Sequence, residues 1–224
     1  MKILIKFPSR ERPNKLLKCV AQYISLASDI SNINFLFTFD IDDKQYNTAE
    51  FLNLLRDSCR GVEHQIIFGI SESKIHAVNR DINEASNWDI LLLASDDMEP
   101  VMESYDEQII NDMKLAFPDT DGVLWYNDGF RDDIITLSIM GRKYYDRFHY
   151  IYHPSYKSFY CDNEFTNVSK LLERYVKSSV VIIKHQHPDN LKLGYDSLYV
   201  KNSKFSEEDR KTFESRLSVN FEIP

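Results

Sequence analysis

The chain has 224 residues, 43% apolar and 28% charged, an ordinary globular composition with enough length for one sizeable core. Lys and Arg number 27 against 35 Asp and Glu, and the resulting net charge of −8 argues against holding nucleic acid or an anionic membrane through overall charge. No two of the six glycines are spaced as G-x-G, which excludes the dinucleotide fingerprint and the P-loop, so any phosphate is held by other means.

The first two-thirds alternate short apolar runs with amphipathic stretches, the rhythm of an α/β layer architecture. Residues 3–7, 34–39, 64–70 and 89–94 predict strands, nearly unalternated as strands covered on both faces are. Between the first two, Pro13 suits a first helical turn, and Leu16, Leu17, Val20, Tyr23, Ile24 and Ala27 fall on one face at 3.6 spacing. Thr48 is placed to cap the next helix, whose Phe51, Leu52, Leu54 and Leu55 are expected to point inward. Lys74, Ala77 and Val78 lie on adjoining turns of a third helix, with Asn79 one residue on. After Ala94 the rhythm changes: 122–126 and 134–140 predict strands, 162–175 a helix and 180–183 a last buried strand. Ser206-x-x-Asp209 has the form of a capping box opening a charged terminal helix. No repeat or linker interrupts this pattern, which reads as a single domain.

Cys19, Cys59 and Cys161 are odd in number and far apart, so neither a disulfide framework nor a C-x-x-C site is expected. The longest apolar run, residues 90–94, is far below the roughly 18 residues that span a bilayer. A cytoplasmic protein without membrane insertion is the expectation.

Two clusters of carboxylates stand where buried strands end: Asp40, Asp42 and Asp43 after the second strand, and Asp96 and Asp97 after the fourth. In open α/β sheets, ligands bind in the crevice beyond the carboxyl ends of the strands. Neighbouring carboxylates repel unless a cation or several donors offset them, and Mg²⁺ or Mn²⁺ does so through oxygen ligands completed by substrate phosphates. Asp also serves simply as a turn former or helix cap, so neither cluster alone decides the matter. Further on, Cys161-Asp162-Asn163-Glu164 opens a helix, and the last strand runs into His185-Gln186-His187.

Taken in this order, the sequence resembles inverting nucleotide-sugar glycosyltransferases of the GT-A fold, family 2 type, over most of that catalytic domain. The resemblance implies a mixed, mostly parallel sheet flanked by helices, with residues 1–97 as the donor half and 98–224 as the acceptor and catalytic-base half. Residues 3–13, with Pro8, Ser9, Arg10 and Arg12, look like the first strand and the loop that meets the donor nucleotide. Asp40, with Asp42 next in line, matches the nucleobase contact, and the N–H of uracil makes UDP the expected nucleotide. Lys74 to Asn79 is similar to the helix below the donor. Asp96 and Asp97 match the metal-binding D-x-D region, Asp162 the catalytic base of the "ED" motif and His187 a late metal-ligand histidine. The chain departs from the pattern twice: Ala94 or Ser95 stands at the first acid of the D-x-D, and Cys161 replaces the acid before the base. Glu164 therefore stays beside Asp162 as a candidate base.

The implied reaction moves a sugar from a nucleoside diphosphate to an acceptor hydroxyl, with Mn²⁺ or Mg²⁺ on the leaving group. Residues 141–160 are basic and rich in tyrosine, and Arg142, Lys143 and Arg147 there are suited to track phosphates, so a hydroxymethylated base in DNA or a glycan is a candidate acceptor, beside a plain reading of the segment as an aromatic core region with ordinary surface charges. Two other readings stand beside this one: a nucleotidyltransferase-like metal-nucleotide enzyme, and a sugar-nucleotide-binding protein without catalysis.

Overall fold

The computed structural model describes residues 1–186 and 197–223. Its centre is a seven-stranded sheet in the order β3-β2-β1-β4-β7-β6-β8. β1 (Ile3–Pro8) lies between β2 (Ile33–Asp40) and β4 (Ile90–Leu93), and β3 (Glu63–Gly69) forms one edge. All three joints of this half are parallel. β7 (Ile139–Gly141) joins β4 antiparallel, followed by β6 (Val123–Tyr126) and β8 (Tyr175–Ser178). A separate ribbon pairs β5 (Met98–Pro100) with β9 (Ile183–His185). The mixed, mostly parallel sheet flanked by helices is the architecture expected.

Side chains alternate across β1 because the strand period is two. Ile3, Ile5 and Phe7 enter a core covered by α1 (Pro13–Ser25), α2 (Ala49–Ser58) and α4 (Tyr105–Ala116). Leu4 enters a second core on the other face, under α3 (Lys74–Asn79), α5 (Arg142–Asp146) and α6 (Cys161–Leu171). On β2 the i, i+2 spacing builds an aromatic row: Phe35 stacks on Phe37 at 5.3 Å, Phe37 on Phe39 at 6.1 Å, and Phe39 on Tyr46 at 4.4 Å. Each such pair adds about 0.5–1.5 kcal/mol beyond burial, which stiffens β2 up to the turn that follows Asp40.

Local signals act as predicted at several starts. Pro13 opens α1 and Thr48 Oγ1 accepts the Phe51 N–H at 3.2 Å; Ser73, not singled out in the sequence, caps α3 by accepting the His76 N–H at 3.1 Å. Other expectations are corrected. Leu54 is exposed; only Phe51 and Leu55 of α2 are fully inward, with Leu52 partly buried. The expected strand over 134–140 forms only at Ile139–Gly141, because the preceding segment bonds to side chains instead of a ladder: the Ile135 N–H donates to Thr166 Oγ1 and Thr136 Oγ1 to Asp128. The helix expected over 162–175 ends at Leu171; Glu173 adopts a left-handed φ of 54°, and Tyr175–Ser178 then pairs with β6. The last strand is Ile183–His185 rather than 180–183, and Val180 is exposed.

The capping box at Ser206 does not form. Helix α7 (Ser197–Ser203) is followed by α8 (Ser206–Ser218), whose N-cap is Phe205 with no side-chain cap. Asp209 is instead fully buried and accepts the backbone N–H groups of Lys157, Ser158 and Phe159, each at 2.8 Å.

Candidate active site

A cleft of about 340 Å³ opens beyond the carboxyl ends of β1, β2 and β4. The parallel order fixes this: each of those strands leads into a loop on the same side of the sheet. Pro8, Ser9, Arg10, Arg12, Asp40, Lys74, Asp96, Asp97 and Asp162 all line it. Asp42, Asn79 and Glu164 do not, and His187 lies outside the described residues.

At one end Arg10 organises the acidic turn after β2. Its Nη1 donates to Asp40 Oδ2 at 2.7 Å, and both terminal nitrogens reach Asp42 at 2.8 and 2.9 Å. The bidentate contact holds the exposed Asp42 carboxyl below its ordinary pKa. Asp42 is thus a partner of Arg10 on the outside of the cleft. Asp40 Oδ1 is buried and makes no hydrogen bond among the described residues, with Arg80 Nη2 at 3.8 Å. Asp43, which sequence reasoning left without a role, accepts the Glu11 N–H at 2.7 Å and so ties the loop after β1 to the turn after β2.

The D-x-D region separates into two different carboxylates. Asp96 gives Oδ1 to Arg12 at 3.0 Å and Oδ2 to the Ser9 hydroxyl at 3.1 Å; burial nevertheless raises its pKa. Both of its oxygens are committed to protein donors. Asp97 accepts a short hydrogen bond from the Ser95 hydroxyl and faces His185 Nε2 at 3.8 Å. Burial opposes its charge, but His185, the Ser95 hydroxyl and Lys74 more than offset this and hold its pKa low. Asp97 is therefore a ready carboxylate ligand, whereas Asp96 is an anchor for Arg12. His185 lies in the cleft because β9 pairs with β5 in the register Met98↔His185, next to the Asp97 turn. The fully buried Asp128 sits on its other side, Oδ2 to Nδ1 at 3.9 Å, and accepts the His185 backbone N–H at 2.9 Å through its carbonyl. Among the described residues no three His, Cys, Asp or Glu side chains gather tightly enough to hold an ion unaided. One carboxylate and one imidazole fit a divalent cation that takes its remaining ligands from phosphate oxygens.

Asp162 stands in the first turn of α6, and its carboxylate accepts the Asn163 N–H at 3.0 Å. Burial raises its pKa against the pull of Lys74. Glu164 points elsewhere: it is buried in a bidentate pair with Arg216, 2.7 and 2.9 Å, and accepts the Tyr156 hydroxyl at 2.8 Å. Two residues on a helix are about 200° apart, which separates the two acids. Asn79 is also spent on structure, its Oδ1 accepting the Ile151 and Tyr152 N–H groups and its Nδ2 donating to the Tyr152 carbonyl at 2.6 Å.

Sequence reasoning missed Lys201, Lys204 and Phe205, which close the cleft from the end of α7 and the turn after it. They sit more than 100 residues beyond both acidic turns, and no local spacing links them. The basic segment reads differently in three dimensions. Arg142 pairs with Asp146 at 2.7 Å and covers the Trp88 ring, Lys143 pairs with Asp119 at 2.6 Å, and Arg147 grips the buried Asp121 at 2.5 and 2.7 Å. Tyr144, Tyr145, Tyr152 and Tyr156 are core residues. Each of the three cations expected to track phosphates has a carboxylate partner within the chain, exposed pairs for Arg142 and Lys143 and a buried partner for Arg147. No helix among the described residues is long and apolar enough to cross a membrane.

No family model and no curated protein sequence matches the chain. Solved structures do. The mannosyltransferase PcManGT from Pyrobaculum calidifontis, in complex with GDP-Man and Mn²⁺, aligns at a TM-score of 0.62 and 10% identity over 82% of this chain and 56% of its own. S. aureus TarS aligns at 0.63 and 13% identity over 85% and 38%. Glucosyl-3-phosphoglycerate synthase from Mycobacterium tuberculosis, in complex with Mn²⁺, UDP and phosphoglyceric acid, aligns at 0.59 and 9% identity over 100% and 79%. The chain thus spans little more than half the length of the first and well under half of the second. Its strand order, its cleft beyond the parallel strand ends and these alignments agree that it has the GT-A fold.

Proposed function

We propose that this chain is a glycosyltransferase that moves a sugar from a nucleoside diphosphate to an acceptor hydroxyl with inversion. The observation that carries this reading is the meeting of Asp97, Lys74 and Asp162 in one cleft of a GT-A fold. Asp40, with one oxygen free of hydrogen bonds, accepts an N–H of the donor's base, and uracil supplies one. Lys74, Lys201 and Lys204 line the cleft and carry the positive charge that would meet the diphosphate. Asp97 and His185 would hold the divalent ion, whose chemistry is to neutralise the charge growing on the leaving diphosphate. Asp162 takes the acceptor proton as the hydroxyl oxygen attacks the anomeric carbon opposite the leaving group; its raised pKa makes it a stronger base than an exposed aspartate. Because Arg142, Lys143 and Arg147 are paired internally, the acceptor is read as a glycan or small hydroxyl compound rather than DNA. The neighbours that bind GDP-Man or UDP with Mn²⁺ support the donor class.

The test is a screen of nucleotide sugars for slow hydrolysis with Mn²⁺. Release of nucleoside diphosphate and free sugar supports the transferase. Pyrophosphate release from a nucleoside triphosphate plus sugar phosphate replaces it with a nucleotidyltransferase, and binding without turnover with a non-catalytic protein.

A further inference from the structure

Lys6 lies in the middle of β1 and is completely buried, flanked along the strand by the core residues Leu4, Ile5 and Phe7. A Leu or Ile there would stabilise the fold without the cost of removing a charge from water. The lysine makes two bonds that an apolar side chain cannot. Nζ donates a short hydrogen bond to Thr38 Oγ1 and another to the Arg80 carbonyl at 2.7 Å. Thr38 lines the cleft two residues before Asp40 and passes its own hydroxyl proton to Asp81 Oδ2 at 2.8 Å. Arg80 follows α3, and its side chain turns back under the same turn. Nη2 donates to the Phe39 carbonyl at 2.6 Å, Nε donates to the cleft-lining Ser71 at 3.0 Å, and Nη2 stands 3.8 Å from Asp40 Oδ1. The room for this guanidinium exists only because residue 69 is glycine: a Cβ there would meet Arg80 Nη1 at 2.0 Å.

We propose that Lys6 is a positioning residue for the donor nucleotide, fixing the Asp40 carboxylate through Thr38 and through the Arg80 main chain that aims the Arg80 guanidinium. The proposal rests on the reading of Asp40 as the nucleobase contact. The fully buried amine touches no substrate. Its effect is to lock two neighbouring elements, β2 and the end of α3, into one arrangement around Asp40.

The lock is sensitive to protonation. Burial, opposed by Asp81 and reinforced by Arg80, brings the Lys6 pKa down to about 7. Asp81 and Arg80, both on the segment after α3, are the charged groups that act on it. The ammonium form donates more strongly to Thr38 and to the Arg80 carbonyl than the neutral amine does. Nucleotide affinity is then highest with Lys6 protonated and falls as pH rises through its pKa. By reciprocity, bound nucleotide raises that pKa.

The experiment measures UDP and GDP binding to the wild-type chain and to Lys6→Met between about pH 6 and pH 8, together with thermal midpoints. The expected result is affinity about tenfold weaker in Lys6→Met at the acidic end, a factor typical of losing one buried charged hydrogen bond. The difference should shrink toward the alkaline end, while the protein stays folded. A variant with lowered thermal midpoint but wild-type affinity and pH slope shows a merely structural lysine and overturns the proposal. Wild-type protein that binds neither nucleotide overturns the donor reading itself, a distinct result. Selective NMR of the lysine side-chain nitrogens in the unmodified protein gives a check that needs no variant. The Lys6 midpoint must rise on UDP addition, and an unmoved midpoint in protein that does bind UDP refutes the coupling.

Discussion

Asp96 and Asp97 are adjacent, chemically identical and unlike in role. Asp96 is locked to Arg12 and Ser9, and Asp97 faces the cleft beside His185. Asp97→Ala should lower Mn²⁺-dependent donor hydrolysis by about 10²-fold or more with the fold intact, because charge on the leaving group is left uncompensated. A variant with near-native turnover in Mn²⁺ would remove Asp97 from the site. Asp162→Asn should keep UDP affinity and lose transfer by about 10²–10⁴-fold, since an amide keeps the shape but takes no proton. Glu164→Gln should not reproduce that loss. The raised pKa of Asp162 sets the sign of two pH effects. If Asp162 is the base it is active when deprotonated, so the acidic limb of the rate profile should lie above that of an ordinary aspartate and vanish in Asp162→Asn. The native state holds this proton more tightly than the unfolded chain, so the same group's contribution to stability is full at low pH and declines as pH rises through its native pKa.

At the scale of elements, α8 is what braces α6, the helix that carries the proposed base. Arg216 on α8 pairs with the buried Glu164 of α6, and Asp209 collects three N–H groups of the loop that leads into it. Arg216→Met should cost about 3–5 kcal/mol in denaturant unfolding because it leaves Glu164 buried and unpaired, whereas Arg216→Met with Glu164→Met should recover most of the loss. A double variant as unstable as the single one would show that the pair itself, rather than its stranded charge, carries the stability. The first four strands and their helices were legible in sequence because their signals are local: unbroken apolar runs, Pro13, Thr48 and a 3.6 period. The later strands were not. β7 and β9 have three residues each and exist through pairing with partners far away in sequence. The site was legible to the same depth. Asp40, Asp97 and Asp162 follow from position after a strand or at a helix start. His185 enters only through its pairing with Met98, and Lys201 and Lys204 only through the return of the C-terminal helices. Glu164 and Asn79 misled because sequence order places them in a motif while packing turns them into braces.

For the whole molecule, a net charge of −8 coexists with a cleft lined by Lys74, Lys201 and Lys204, so positive charge is gathered where the proposed diphosphate would sit. Duplex DNA should therefore bind weakly at about 0.15 M salt, and replacing Arg142, Lys143 and Arg147 together by alanine should leave fluorescence-anisotropy titrations with DNA unchanged. Tight binding that weakens in the triple variant would return nucleic acid to the list of acceptors. The strand order also has a consequence for synthesis. β1 to β4 leave the ribosome before β7 and pair among themselves, but the far edge of β4, with the sequence Ile-Leu-Leu-Leu, meets its partner only when β7 arrives at Ile139. At ribosomal speeds the 46 residues from Leu93 to Ile139 take about 2–9 s. During that interval the nascent chain carries four paired strands and an open, hydrophobic sheet edge, the moment at which it is most exposed to pairing with another chain.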